Sequence, residues 1–149
     1  MALRAAADDE QRFTMHAVVD THKRFMDLLV VYINNPVWVE HSIHIMEMLL
    51  AEEKYKVVGF DLEYTRARAR SRPKVVVAQM CVCSHVLIYH YCLATRPCEH
   101  FARFVNNPHY MFATVDITND VKVLKNSSIA CQNLVDIQGQ YKNLGQQEA

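Results

Sequence analysis

Asp61 and Glu63, two positions apart in the apolar run VVGFDLEYT (residues 57–65), are the side chains here best suited to chemistry. Residues at i and i+2 of a β-strand share a face, so both carboxylates would project together from a hydrophobic element. Two adjacent like charges are costly to bury unless a cation compensates them, and a divalent metal with oxygen ligands is the usual solution. A strand running out into a turn, with both acids merely hydrated at its end, is the other reading of the same run. RARARSRPK follows at once, in which Arg66, Arg68, Arg70, Arg72 and Lys74 alternate with other residues. In an extended segment these cations would line one edge, as a phosphate-contacting strip beside the paired acids or as a solvated hairpin tip. Pro73 keeps that segment out of a regular strand interior.

Other chemistry-bearing residues carry weaker patterns. His41 and His44 stand one helical turn apart, a metal-compatible spacing without an evident third ligand, and are read as a solvated helix face. Cys81 and Cys83 would share a strand face, but no second Cys or His pair stands at a zinc-site spacing. Tyr89, His90 and Tyr91 offer either base-stacking surface or core packing.

The elements that position these residues follow from periodicity and punctuation. Residues 13–19 and 24–34 form two apolar runs around a polar turn, a hairpin pattern, and Asn34-Asn35-Pro36 ends it. Residues 37–54 carry apolar side chains at helical spacing, with Glu40, Glu47, Glu52 and Glu53 on the other side. Strands are expected at 57–65, 75–82 and 86–92, close enough together to form an antiparallel meander. A helix at 97–105, a strand at 111–116, a helix at 118–125 and a strand at 134–137 complete the order. Gln79 is a polar residue inside an apolar strand and is expected to satisfy a neighbour or the backbone.

Composition sets the class. The 149 residues suffice for one domain, 51% are hydrophobic and 21% charged, and sixteen basic residues balance sixteen acidic ones. Any basic surface must therefore be local. No run approaches the ~18 apolar residues of a membrane span, so no membrane association is expected. Five cysteines, an odd number, suit reduced thiols in the cytoplasm or nucleus. The acidic cluster Asp8-Asp9-Glu10 disfavours a secretory leader and leaves organelle import open.

VVGFDLEYT, VAQMCV, VLIYHY, CEHFARFV, FATVDITNDVKVLKN and LVDIQ together resemble the ribonuclease-H-like DEDD 3′-5′ exonuclease domain of the Werner-syndrome type, particularly its diverged plant relatives. The resemblance implies an α/β fold: a mixed sheet with a three-strand antiparallel meander followed by parallel strands and flanking helices. It divides the single domain into an N-terminal hairpin and helix (1–55), an exonuclease-like core (56–141) and a polar tail (142–149). It also implies four acids holding two Mg²⁺ or Mn²⁺ ions. Asp61 and Glu63 match the first motif, and Asp120 matches the second better than Asp116 does. The third motif, a Tyr or His followed four positions later by Asp, finds no match: Tyr141 is followed by Gly145, and His16 with Asp20 precedes the first motif. Three expectations follow. The set Asp61, Glu63 and Asp120 is a catalytically deficient remnant with weak metal binding. Arg66, Arg68, Arg70, Arg72 and Lys74 contact single-stranded or duplex nucleic acid. A sheet face left uncovered supports a homo-oligomer or a protein partner, a non-catalytic interaction role being the alternative function.

Overall fold

The computed structural model describes residues 12–21, 24–66 and 71–139. The expectations on Arg68, Arg70, Tyr141 and the polar tail lie outside the described residues. The elements run β1 (Arg12–Thr21), β2 (Arg24–Ile33), α1 (Pro36–Ala51), β3 (Val57–Tyr64), β4 (Val75–Val82), β5 (His85–Tyr89), a 3-10 turn (Tyr91–Leu93), α2 (Glu99–Val105), β6 (Met111–Thr114), α3 (Ile117–Asn126) and β7 (Leu134–Asp136).

All seven strands join one sheet in the order β1-β2-β5-β4-β3-β6-β7. Strands β3, β4 and β5 form the antiparallel meander, and β6 and β7 add in parallel beyond β3. The mixed α/β architecture expected from the sequence is thus the observed one. The β1–β2 hairpin extends the opposite edge, with β2 parallel to β5. Cys83 takes a positive φ of 52° in the tight Cys83-Ser84 connection between β4 and β5, which puts it in the turn rather than on the strand face with Cys81. β5 ends at Tyr89, three residues before the expected limit, because the chain then coils into the 3-10 turn.

The buried face of the sheet is set by alternation. On β3, Val58, Phe60 and Leu62 are buried while Asp61 and Glu63 are exposed. Register places Met80 opposite Phe60 and Leu87 opposite Met80, so one apolar face runs across the meander. Helices α1 and α2 lie on that face. Asn35 caps α1 by accepting from the Val37 amide at 2.9 Å, and Pro36 begins the helix where no amide hydrogen is needed. Val39, Ile43, Met46 and Leu50 are its buried stripe. The helix stops at Ala51, short of the expected Lys54, and the Lys56 ammonium donates to the terminal carbonyls of Leu50 (2.6 Å) and Ala51 (3.2 Å). Phe112 of β6 stacks edge-on with Phe60 (5.6 Å) and with Phe104 of α2 (5.5 Å), tying the acid-bearing strand to the helical layer.

Candidate functional site

The acids gather where β3 and β6 end. These strands are parallel neighbours, so their carboxyl ends point the same way, and the turn after β6 leads straight into α3. Ligand sites of open α/β sheets lie at such strand ends. Asp61 and Glu63 leave β3 on the face away from α1 and α2, as the i,i+2 spacing requires. Asp61 stands opposite Gln79 of β4, the strand's polar residue.

Asp120, in the first turn of α3, is 1% exposed and accepts a hydrogen bond from the buried Thr114 hydroxyl at the end of β6. Burial raises its pKa above the ordinary carboxylate value; Thr114 pulls it down, and the carboxylates of Asp116 and Asp61 push it up again. Asp61 is therefore close enough to be felt by Asp120, which joins the two motifs in one electrostatic cluster. Asp116 occupies the N-cap position of α3 and is held there by the Asn119 amide at 3.1 and 3.2 Å. The Tyr64 phenol has its pKa raised first by desolvation and then by Asp116, Asp120 and Glu63. The sequence did not single out Thr114 or Tyr64. An apolar strand ending in a lone Thr before an Asp-rich helix start was the available signal for Thr114.

Neighbouring carboxylates suit a divalent cation, because carboxylates are hard donors of the kind Mg²⁺ and Mn²⁺ prefer. As placed, Asp61, Glu63 and Asp120 do not bring three ligand atoms within 4.8 Å of one another. They fit an ion held by one or two carboxylates, with water completing the shell.

The basic segment emerges from β3 beside these acids. Backbone and side-chain bonds between Thr65 and Lys74, both 3.0 Å, close the base of its loop. Arg66, Arg72 and Lys74 are exposed and, with Thr65 and Ser71, line an open groove of about 570 Å³.

Two sequence readings left with alternatives are now decided. Tyr89 is fully buried and packs edge-on against Tyr91 and Phe101, so it serves the core rather than stacking a base. His41 and His44 are both exposed on α1, as a solvated helix face requires; His41 turns its ring onto Trp38, whereas His44 meets His100 of α2 at a 4.4 Å ring separation. Among the described residues, the group whose ligand atoms do lie within 4.8 Å of one another is Glu40, His44 and His100. The Glu40/His44 spacing of four was its only sequence signal. Cys81 and Cys83 remain free thiols, with Cys83 directed onto Glu53 at 3.2 Å.

No helix among the described residues is long and apolar enough to cross a membrane. A family model described as 3′-5′ exonuclease matches residues 36–148. No curated protein matches by sequence. Among solved structures, the chain is similar to the EXD2 exonuclease domain soaked in Mg and GMP, at 14% identity and a TM-score of 0.63 over 80% of this chain. It is likewise similar to a second structure of the EXD2 exonuclease domain (15% identity, TM-score 0.63, 80% of this chain) and to that domain soaked in Mn (14%, 0.63, 80%). The chain spans about 60% of the length of those EXD2 domains.

Proposed function

The chain belongs to the 3′-5′ exonuclease family, and from that premise we propose that it is an exonuclease-like domain that binds divalent metal and nucleic acid, and that these 149 residues by themselves bind more than they cut. The carrying observation is the placement of Asp61 and Glu63 on β3 and of the buried Asp120 in the first turn of α3, at the shared carboxyl end of the parallel strands β3 and β6. Asp61 and Glu63 of the first motif and Asp120 of the second would hold Mg²⁺ or Mn²⁺. Bound there, such ions supply polarisation of a phosphodiester and an activated water. The chain's own residues do the rest. Thr114 fixes the Asp120 carboxylate through its hydroxyl, and Asp116 anchors the start of α3. Arg66, Arg72 and Lys74, with Arg68 and Arg70 between them in the sequence, neutralise backbone phosphates of single-stranded or duplex nucleic acid. Within these 149 residues three acids match the set of four that the family resemblance implies, and a set that acts as a unit works orders of magnitude more slowly without one of its members. Free thiols fit a reducing setting such as cytoplasm or nucleus.

A second reading, an interaction module or homo-oligomer, is favoured by the sheet face that carries Asp61. Val30, Val77, Val86 and Ile88 lie half-exposed on that face, an apolar strip that a protein surface could cover.

Labelled single-stranded and duplex DNA and RNA, incubated with the protein and Mn²⁺, test the proposal against the Asp61→Ala/Glu63→Ala double variant. Salt-sensitive binding with little degradation is the expected result. Degradation that the double variant abolishes overturns the deficiency and leaves an active nuclease. Absence of both binding and cutting, with self-association in sedimentation, favours the second reading.

A further inference from the structure

A second cluster of ligand-type side chains lies away from the acids, on the outer side of the α1–α2 pair. Glu40 and His44 are one turn apart on α1 and project from the same side of it, and His100 faces them from the first turn of α2. One donor atom from each lies within 4.8 Å of the others. His44 and Glu40 are exposed and free to adjust, whereas the His100 side chain is only 12% exposed.

The two nitrogens of His100 are in different situations. Nε2 bonds to the Glu47 carboxylate, which lies one further turn along α1. Nδ1 is buried without a hydrogen-bond partner, and its nearest acidic neighbour, Glu40 Oε1, is 3.9 Å away, too far to bond. With the proton on Nε2, donated to Glu47, the Nδ1 lone pair faces a carboxylate oxygen across a gap. Two electron-rich atoms turned toward each other in a partly buried place call for a cation between them. A carboxylate that holds the far side of an imidazole is also the usual orienting partner of a metal-ligating histidine.

We propose that Glu40, His44 and His100 form a zinc site, with Glu47 orienting His100. Two imidazoles and one carboxylate are a three-ligand set that Zn²⁺ favours over Mg²⁺. Zinc bonds of about 2.0–2.1 Å at tetrahedral angles require donor atoms roughly 3.4 Å apart, so modest rotation of the two exposed side chains closes the set. The fourth position opens toward a cleft of about 250 Å³ lined by Glu40, Arg96, Cys98, Glu99, His100 and Arg103, where water or an anion completes the coordination. The ion pins α1 to α2 without involving Asp61, Glu63 or Asp120.

The full chain, stripped with a chelator and titrated with Zn²⁺ near neutral pH, should take up one ion and unfold at a higher temperature. The Asp61→Ala/Glu63→Ala variant should behave identically, so a failure of the nuclease reading leaves this result untouched. His44→Ala, at an exposed position, should keep the metal-free melting temperature yet bind zinc ~100-fold more weakly or worse. Glu47→Gln should weaken it by about 10–100-fold, the usual cost of losing an orienting partner. Cobalt substitution should give a four-coordinate spectrum free of thiolate charge transfer, and Cys83→Ser should change nothing. Zinc uptake that is absent in the wild type, unaffected by His44→Ala, or thiolate-bound by cobalt spectroscopy overturns the proposal. In the first case His100 is simply a histidine between two glutamates.

Discussion

Replacing Thr114 with valine keeps the shape of a buried side chain at the end of β6 and deletes one hydroxyl. Thr114 is 1% exposed, and its hydroxyl hydrogen-bonds Asp120, which is equally buried. A hydrogen bond to a charged group contributes about 1.5–3 kcal/mol. At roughly 2–4 °C per kcal/mol for a domain near this size, Thr114→Val should unfold roughly 3–12 °C below the wild type at neutral pH. The pH dependence gives the reasoning its sharper edge. Burial holds the Asp120 pKa above 3.8, and the Thr114 bond partly offsets that rise, so the bond favours the ionised carboxylate. Its stabilisation is present above the folded-state pKa of Asp120 and fades as the pH falls through that value. Denaturant unfolding of both proteins across an acid-to-neutral series should therefore show a gap that is widest at neutral pH and closes on acidification. In an Asp120→Asn background, the same Thr114→Val change should cost less at neutral pH. A gap below about 0.5 kcal/mol, or one that widens in acid, would refute the assignment of Thr114 as the residue that holds the second-motif acid.

Three further outcomes are expected. Asp61→Ala/Glu63→Ala removes two exposed side chains that alternate with the buried Val58, Phe60 and Leu62, so its metal-free stability should stay within about 0.5 kcal/mol of the wild type. The wild type should gain about 1.4 kcal/mol from Mg²⁺ at ten times its dissociation constant, and the double variant should gain nothing, as read by calorimetry. His85, buried and bonded to Ser42 Oγ at 2.6 Å, has its pKa lowered from 6.5 by burial and by His41. Its neutral form belongs to the folded state, so stability should drop as the pH falls from about 6.5 through the lowered value, and His85→Gln should flatten that slope in urea unfolding. Arg66→Ala and Arg72→Ala should each weaken nucleic-acid binding uniformly across sequences and reduce the salt-dependence slope by about one contact.

Much of this architecture could be read from local pattern. Alternation in VVGFDLEY fixed which side of β3 carries its acids, and the tight Cys83-Ser84 connection fixed the β4–β5 hairpin of the meander, because both are set within a few residues. The spacing of Asp61 and Glu63 likewise required their shared face. What the sequence could not carry was distance between elements. His100 lies 56 residues after His44 in number, and only the docking of α2 on α1 brings the rings to 4.4 Å. His41 looked equivalent to His44, yet the rotation of α1 on the sheet sends it toward Trp38 and His85 instead. Tyr89 was open between base stacking and core packing, because residue type alone does not say which face of β5 is covered. The chain turns at His90, and Tyr89 remains on the inner face with Leu87.

The two candidate metal sites differ in the chemistry of their donors and in their place on the sheet. Asp61 and Glu63 leave β3 on the face opposite the apolar layer, whereas Glu40, His44 and His100 stand on the helices that cover that layer. Carboxylates alone select hard cations, while two imidazoles select zinc over magnesium, so the sites should load independently from a mixture of the two ions. Independence is itself informative. The helices reach the acid-bearing strand through the Phe104–Phe112–Phe60 stack, a packed contact with no polar group that either ion could engage. Zinc at α1–α2 should therefore raise the unfolding temperature of the whole domain by mass action while leaving the magnesium affinity at Asp61 and Asp120 unchanged. Reciprocal shifts in the two affinities would instead require a rearrangement of that aromatic stack, because coupling between sites is symmetric and must be carried by an element that differs between the two states.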